Sequence, residues 1–419
     1  MARFRAHSLK IGDRVTNAAQ LTMRETIFPL FLVTILYFLW GFAYGLLDTL
    51  NKHFQINLGI TRTRSSGLQA AYFGAYPLAS LGYANWVLRH YGYRATFILG
   101  LTLYGIGAFM MWPAALKESF GGFCGATFII GSGLGSLETA ANPYMAVTGP
   151  PKYSELRINI AQAVQAIGTV VGPVLGSYVF FNETGESVDA LKTVQWVYLA
   201  IGCFVFCLAI VFYFSVIPEV TDADMGQQAD LTHGTNGDDD KPFWKQYRLF
   251  HASWAQFAYT GSQIAIAGYF INYVTEIRPN TSSALGAKFL AVAQGCFAAG
   301  RFSGSGIRGL GRHTKRGAGV IVGGVVGGAC IPPILAAVAD RRNSTAFAMI
   351  VPVMFFISAE TYALAVNFVP SYRDRADKIG QGIIADGAAS RNDVEKAAGE
   401  VSEEGSVDDK AVVYEIDNA

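Results

Sequence analysis

Ten apolar runs, each near 20 residues, recur along the 419-residue chain between short polar intervals. An α-helix needs about 20 apolar residues to cross a bilayer's hydrocarbon core. The pattern therefore predicts membrane-spanning helices at roughly 27–50, 67–88, 95–114, 120–147, 158–181, 195–217, 252–275, 284–304, 317–339 and 346–369. Six fall within 27–217 and four within 251–369. The polar segment 218–250, with Asp238-Asp239-Asp240 and several glycines, reads as a cytosolic linker between them. Residues 1–26 are polar and basic. The tail 370–419 has twelve acidic and six basic residues and few aromatics, and is expected to be solvated and disordered.

Composition supports an all-α polytopic membrane protein. The chain is 52% hydrophobic and only 15% charged, against about 25% charged in soluble domains. A net charge of +1 gives no electrostatic argument for nucleic acid. The five cysteines all fall inside apolar runs and read as small buried hydrophobes, not disulfides or metal ligands. The first apolar run is too long for a signal-peptide core. No nucleophile–base constellation, phosphate loop or metal cluster is visible, so neither an enzyme nor a cofactor or metal site is expected.

Basic residues near span ends set orientation. Arg3, Arg5, Lys10, Arg14 and Arg24, then Arg89 and Arg94, then Arg308, Arg312, Lys315 and Arg316, all mark ends on the cytosolic side. Both termini are then cytosolic. The three N-x-Ser/Thr sequons, at Asn182, Asn280 and Asn343, fall in loops on the other side.

Glu138 inside Phe120–Val147 and Asp48 inside Phe28–Leu50 are carboxylates that break the apolar pattern. An acidic group at the centre of a span costs about 2.5–3.5 kcal/mol on insertion scales. Such residues mark ion pathways, proton relays or polar substrate sites. Trp40, Tyr44 and Asp48 share one helix face, offering an aromatic plane, a phenol and a carboxyl group. A sugar needs that set, because its apolar ring faces stack on aromatics and its hydroxyls bond to polar groups. Asn142 lies one turn beyond Glu138. Asn159, Gln162 and Gln165, at spacings of three, form a polar stripe in the fifth run, and Tyr259 and Gln263 lie one turn apart in the seventh. Gln69, Tyr72 and Tyr76 line one face of the second, and Asn272 sits off the Tyr259 face.

Six spans, a long polar loop and further spans is the layout of the major facilitator architecture, in which two six-helix halves are related by an axis along the membrane normal. Here the second half is shorter by roughly 70 residues, enough for two spans and their loops. Specific strings sharpen the likeness. They are Tyr37-Phe38-Leu39-Trp40-Gly41-Phe42-Ala43-Tyr44-Gly45-Leu46-Leu47-Asp48, Tyr72-Phe73-Gly74-Ala75-Tyr76, Leu137-Glu138-Thr139-Ala140-Ala141-Asn142-Pro143, Arg157-Ile158-Asn159-Ile160-Ala161-Gln162 and Gly261-Ser262-Gln263-Ile264-Ala265. Together they resemble the fucose permease group, the fucose:proton symporters of that superfamily, in a fungal-like form.

The resemblance implies import of a monosaccharide with protons by a monomer in the plasma membrane. Asp48 would couple the proton, and Glu138 would recognise substrate hydroxyls and communicate with Asp48. Trp40, Tyr44, Asn142, Asn159, Gln162, Gln165, Tyr259 and Gln263 would line the sugar site. Gly82, Arg89, Gly92 and Arg94 resemble a degenerate form of the superfamily's gating motif without a conspicuous acidic member, and Arg301 would be its counterpart in the second half. Gly309–Gly317, Gly327-Gly328 and Pro332-Pro333 resemble the approach to family span eleven, yet follow Gly300-Arg301-Phe302 almost at once. That places a join near Ser305 and implies that family spans nine and ten are absent.

Two other readings stay open. The run Gly168-x-x-x-Gly172-Pro173-x-x-Gly176 resembles a drug antiporter signature. The shortened second half also fits a membrane sugar sensor that does not transport.

Overall fold

The computed structural model describes residues 23–149, 154–179, 187–219, 245, 247–303 and 324–369. These residues are helical, with no strand among them. The helices are α1 (Met23–Asn57), α2 (Arg62–Ser65), α3 (Gly67–Pro77), α4 (Ala84–Leu116), α5 (Phe120–Val147), α6 (Ser154–Val179), α7 (Ser187–Phe214), α8 (Tyr247–Ile277), α9 (Ser283–Ser303), α10 (Gly327–Arg342), α11 (Thr345–Ala348) and α12 (Ile350–Phe368). Each predicted span coincides with a helix, or with part of one. The linker and tail lie outside the described residues, apart from the edges of the linker.

The second and third spans meet inside α4. Leu78–Tyr83 joins α3 to α4 through a kink at Gly82, where φ is −103° and ψ −119°. At Gly92 the backbone takes φ 83° and ψ −172°. Only glycine adopts that conformation at low cost, so the chain can reverse there. The third span then starts at Tyr93, with its first N–H groups unpaired by its own helix. Glu219, just beyond the sixth span, accepts from Tyr93 N at 2.7 Å and Arg94 N at 2.9 Å.

Six described segments are long and apolar enough to cross a membrane: Glu25–Asn57, Arg62–Leu116, Phe120–Val147, Leu156–Val179, Thr193–Phe214 and Thr345–Phe368. Helices α8, α9 and α10 are more polar or shorter.

Small residues set the packing. Helices α1 and α6 touch backbone to backbone: a Cβ built on Gly41 would lie 1.9 Å from the Gln165 carbonyl oxygen, and one on Gly172 would lie 2.5 Å from Gly45 C. In the second half Gly261 and Gly327 meet the same way, at 2.5 Å. The Gly168-x-x-x-Gly172-Pro173-x-x-Gly176 run is therefore the α1–α6 seam. Close approach of this kind is how helices gain packing energy where lipid removes the hydrophobic drive.

The cysteines correct one expectation. None is in a disulfide, but Cys203, Cys207, Cys296 and Cys330 lie on the outside of the protein and Cys124 is half-buried. An apolar run in a membrane helix has a lipid-facing side as well as a core side, so hydrophobicity alone does not bury a residue in protein.

Candidate functional site

A polar and aromatic cluster sits in the middle of the first bundle. Asn142, one turn after Glu138 on α5, donates from Nδ2 to Glu138 Oε1 at 3.5 Å and accepts from the Tyr37 hydroxyl at 2.6 Å. Trp40 Nε1 donates to the Tyr76 hydroxyl. The Trp40 ring stacks on Tyr44, with centroids 6.4 Å apart and planes at 19°, and Tyr44 meets Phe73 edge-on. Trp40, Glu138 and Asn142 are half-buried, whereas Tyr37, Tyr44 and Tyr76 are buried. Three helices thus place a carboxylate, an amide, an indole and phenols around one locus. Sequence reasoning quoted Tyr37 only within a family string, because a tyrosine in an apolar span gives no sign of what it will meet.

Asp48 lies further along α1 and meets this cluster at Tyr44. Eleven residues separate it from Tyr37, a rise of about 16 Å along α1. It is 1% exposed. It faces the Tyr44 phenol one turn earlier and the backbone of Gly268 on α8, where a Cβ would come within 3.5 Å of Asp48 Oδ1 and 2.6 Å of Gln69 Nε2. No cationic side chain pairs with Asp48 among the described residues. This carboxyl group therefore sits on the surface where the two bundles touch.

The other expected residues divide. Asn159 and Gln162 are half-buried on α6. Gln165 is buried in the α1–α6 seam, its Cγ 3.2 Å from the Cβ position of Gly41. Tyr259 packs edge-on against Phe356 of α12, within the second bundle, at 6.0 Å between centroids. Gln263 is half-buried one turn later. Arg89 is exposed. Arg94 donates its guanidinium to the Tyr213 carbonyl and covers the Tyr213 ring. Glu219 accepts from the backbone N–H groups of Tyr93 and Arg94 beside that loop. The Arg301 side chain lies outside the described residues.

The bundles touch along several helix pairs, among them the ends of α1 and α8. Asn51 Nδ2 donates to Gly268 O at 2.7 Å, and Asn272 Nδ2 donates to Gln55 Oε1 at 2.7 Å. Beyond them, Asp340 at the end of α10 accepts from Thr63 N at 2.8 Å and Thr63 Oγ1 at 2.7 Å, both on Oδ2, and pairs through Oδ1 with Arg62 at 3.5 Å. Tyr269 donates to Arg62 O at 3.0 Å. Nearby Glu276 accepts from Ser344 Oγ, Thr345 N and Ala346 N at 2.7, 2.6 and 3.3 Å. Desolvation works against that carboxylate, but these hydrogen bonds outweigh it and hold the group below its ordinary range. Sequence reasoning gave Asn272 a minor place and did not single out Asn51, Gln55, Asp340 or Glu276. Polar residues at span ends look alike in sequence, whether they meet water or another helix.

A model of the Major Facilitator Superfamily matches residues 30–383. The chain belongs to the major facilitator superfamily. This facilitator is 27% identical over 408 residues to the L-fucose-proton symporter of Escherichia coli (strain K12), with 80% of this chain and 92% of the relative covered. It is 26% identical over 395 residues to the glucose/galactose transporter of Brucella abortus (strain 2308), with 80% and 93% covered. Among solved structures it resembles the E. coli fucose:proton symporter with TM-score 0.59 and 25% identity, over 80% of this chain and 98% of that one. A facilitator solved in the outward conformation gives TM-score 0.62 at 24% identity, over 81% and 99%, a likeness of fold.

The facilitator fold gives the Asp340 contacts a testable weight. Asp340→Ala removes two hydrogen bonds to a charged acceptor, worth about 1.5–3 kcal/mol each where fully formed and less at this exposed position. We expect a membrane-impermeant maleimide to label Ala267→Cys several-fold faster once Asp340 is also Ala. An unchanged rate would show that Asp340 does not hold this seam shut.

Proposed function

We propose that this architecture imports a monosaccharide of the fucose, galactose or glucose class together with protons. Alternating access, in which the bundles rock about a central site, supplies the motion. The observation that carries the reading is the Tyr37–Asn142–Glu138 chain beside Trp40 and Tyr76, in a fold whose relatives bear sugar-transporter names. The indole and phenol rings suit the faces of a pyranose, and Glu138 and Asn142 suit its hydroxyls. Asp48 is placed for the proton. A carboxyl group buried while the bundles touch, and hydrated once they part, gains and loses its proton as the site changes side. Asn159, Gln162, Gln165, Tyr259 and Gln263 are read as the further polar lining of the site. Arg89, Arg94 and Arg301 belong to the gates. The molecule works as a monomer, in the plasma membrane with both termini cytosolic, so that the Asp340 seam is the outer one. The antiporter reading loses its support here, because the glycine run has a packing role of its own.

The second half of the reading concerns length. The alignment to the E. coli relative runs over 408 residues, whereas 80% of this chain is about 335 residues. About 70 positions of the relative therefore face no residue here, which supports the loss of family spans nine and ten near Ser305. A bundle without two spans exposes cavity-lining polar groups to lipid. The 419-residue chain is accordingly transport-inactive.

Uptake of labelled fucose, galactose and glucose into vesicles with an inward proton gradient tests both halves. The 419-residue chain should match empty vesicles, and a version carrying the relative's hairpin after Ser305 should accumulate one of the sugars. Uptake by the short chain would overturn the inactivity, and sugar binding without uptake in the restored chain would favour a sensor.

A further inference from the structure

Gln69 plays no part in the sugar cluster around Glu138, yet its side chain is fully buried. It is 0% exposed, and neither its amide oxygen nor its amide nitrogen has a hydrogen-bond partner. It stands three residues after Ser66, the residue that opens α3, where a glutamine often reaches back to cap its own helix. That use is closed here. The Ser66 N–H donates to Arg62 O at 3.0 Å, and the Ser66 hydroxyl donates to Thr63 O at 2.7 Å. A buried amide without partners is costly, so its partner is sought in what it faces.

It faces Asp48 across the backbone of α8. A Cβ on Gly268 would stand 2.6 Å from Gln69 Nε2 and 3.5 Å from Asp48 Oδ1. The amide and the carboxyl group therefore share one patch of α8. Asn51, one turn beyond Asp48, donates to Gly268 O at 2.7 Å and leaves its own Oδ1 without a partner. Phe73, one turn along α3 from Gln69, meets Tyr44, one turn before Asp48, edge-on. The faces of α1 and α3 that carry the two groups are thus already packed together.

An amide suits this place chemically. A protonated carboxyl group needs an acceptor for its hydrogen, whereas an ionised one needs donors. The glutamine side chain offers both, and rotation about its last bond exchanges them.

We propose that Gln69 is a positioning residue for the proton step: its amide hydrogen-bonds the Asp48 carboxyl group, accepting from the acid form and donating to the ionised form. Gly268 keeps the room for that bond, because a side chain there would push the amide aside. The inference deepens the proton reading of Asp48 and rests on it, but it requires no particular sugar.

Infrared difference spectroscopy between acid and alkaline pH, on the purified 419-residue chain, tests this. The carbonyl stretch of a protonated carboxyl group falls in frequency when the group is hydrogen-bonded, and the band missing from Asp48→Asn belongs to Asp48. Gln69→Leu should shift that band upward. Gly268→Ala should shift it the same way with Gln69 still present, so the test stands even if the leucine variant does not fold. The double variant should shift it no further than Gln69→Leu alone. An Asp48 band unmoved by Gln69→Leu would overturn the proposal and leave the amide to Asn51. A band unmoved by Gly268→Ala would overturn the place given to the amide between α1 and α8. If Asp48→Asn removes no band, the proton reading of Asp48 falls and this inference with it; the other two failures leave that reading standing.

Discussion

Asp48→Asn in the hairpin-restored chain is expected to abolish proton-driven sugar accumulation, by at least a hundredfold, while leaving sugar exchange across the membrane largely intact. Asparagine keeps the size and hydrogen-bonding capacity of the protonated acid but cannot release a proton. The residue is 1% exposed at the face where α1 meets α8, and no cationic side chain pairs with it among the described residues. Counterflow of labelled against unlabelled sugar needs only the rocking of the bundles, whereas uphill accumulation needs the proton to leave on the far side. Measuring both on one preparation separates the two. Equal loss of exchange and accumulation would make Asp48 a structural residue. Full accumulation by the asparagine variant would remove it from the proton path.

The second large effect belongs to Gly41. Any side chain there drives its Cβ to 1.9 Å from the Gln165 carbonyl oxygen, and the obstacle is backbone, which cannot swing aside. Overpacking a core side chain costs about 1–3 kcal/mol, and a collision with helix backbone falls at or above the top of that range. Gly41→Val should therefore lower the melting temperature of the purified protein in detergent by more than 10 °C or leave no monodisperse fraction. Gly121→Ala makes a control, because a Cβ there meets nothing within 4 Å. If Gly41→Val melts like the control, the seam is looser than described.

These two positions show what the sequence discloses. The spans were legible because about 20 consecutive apolar residues have few other uses, and α5 begins and ends at the predicted residues, Phe120 and Val147. Asp48 and Glu138 were legible because a carboxylate in such a run stands out. What Asp48 faces was not, since Gly268 is a glycine more than 200 residues away with no side chain to advertise the contact. Gln165 fitted a polar stripe, yet the small residues of α1 draw it into a seam.

The carboxylate of Glu219 closes a contact across 126 residues, and that distance has a bearing on the order of assembly. A chain made from its N-terminus folds its first domain first. The start of the third span must therefore wait for its cap until residue 219 has left the ribosome, after all six spans of the first bundle have been made. The first bundle should thus mature normally during synthesis even when the second half is faulty, and cellular quality control would meet the defect only after half the protein is already sound.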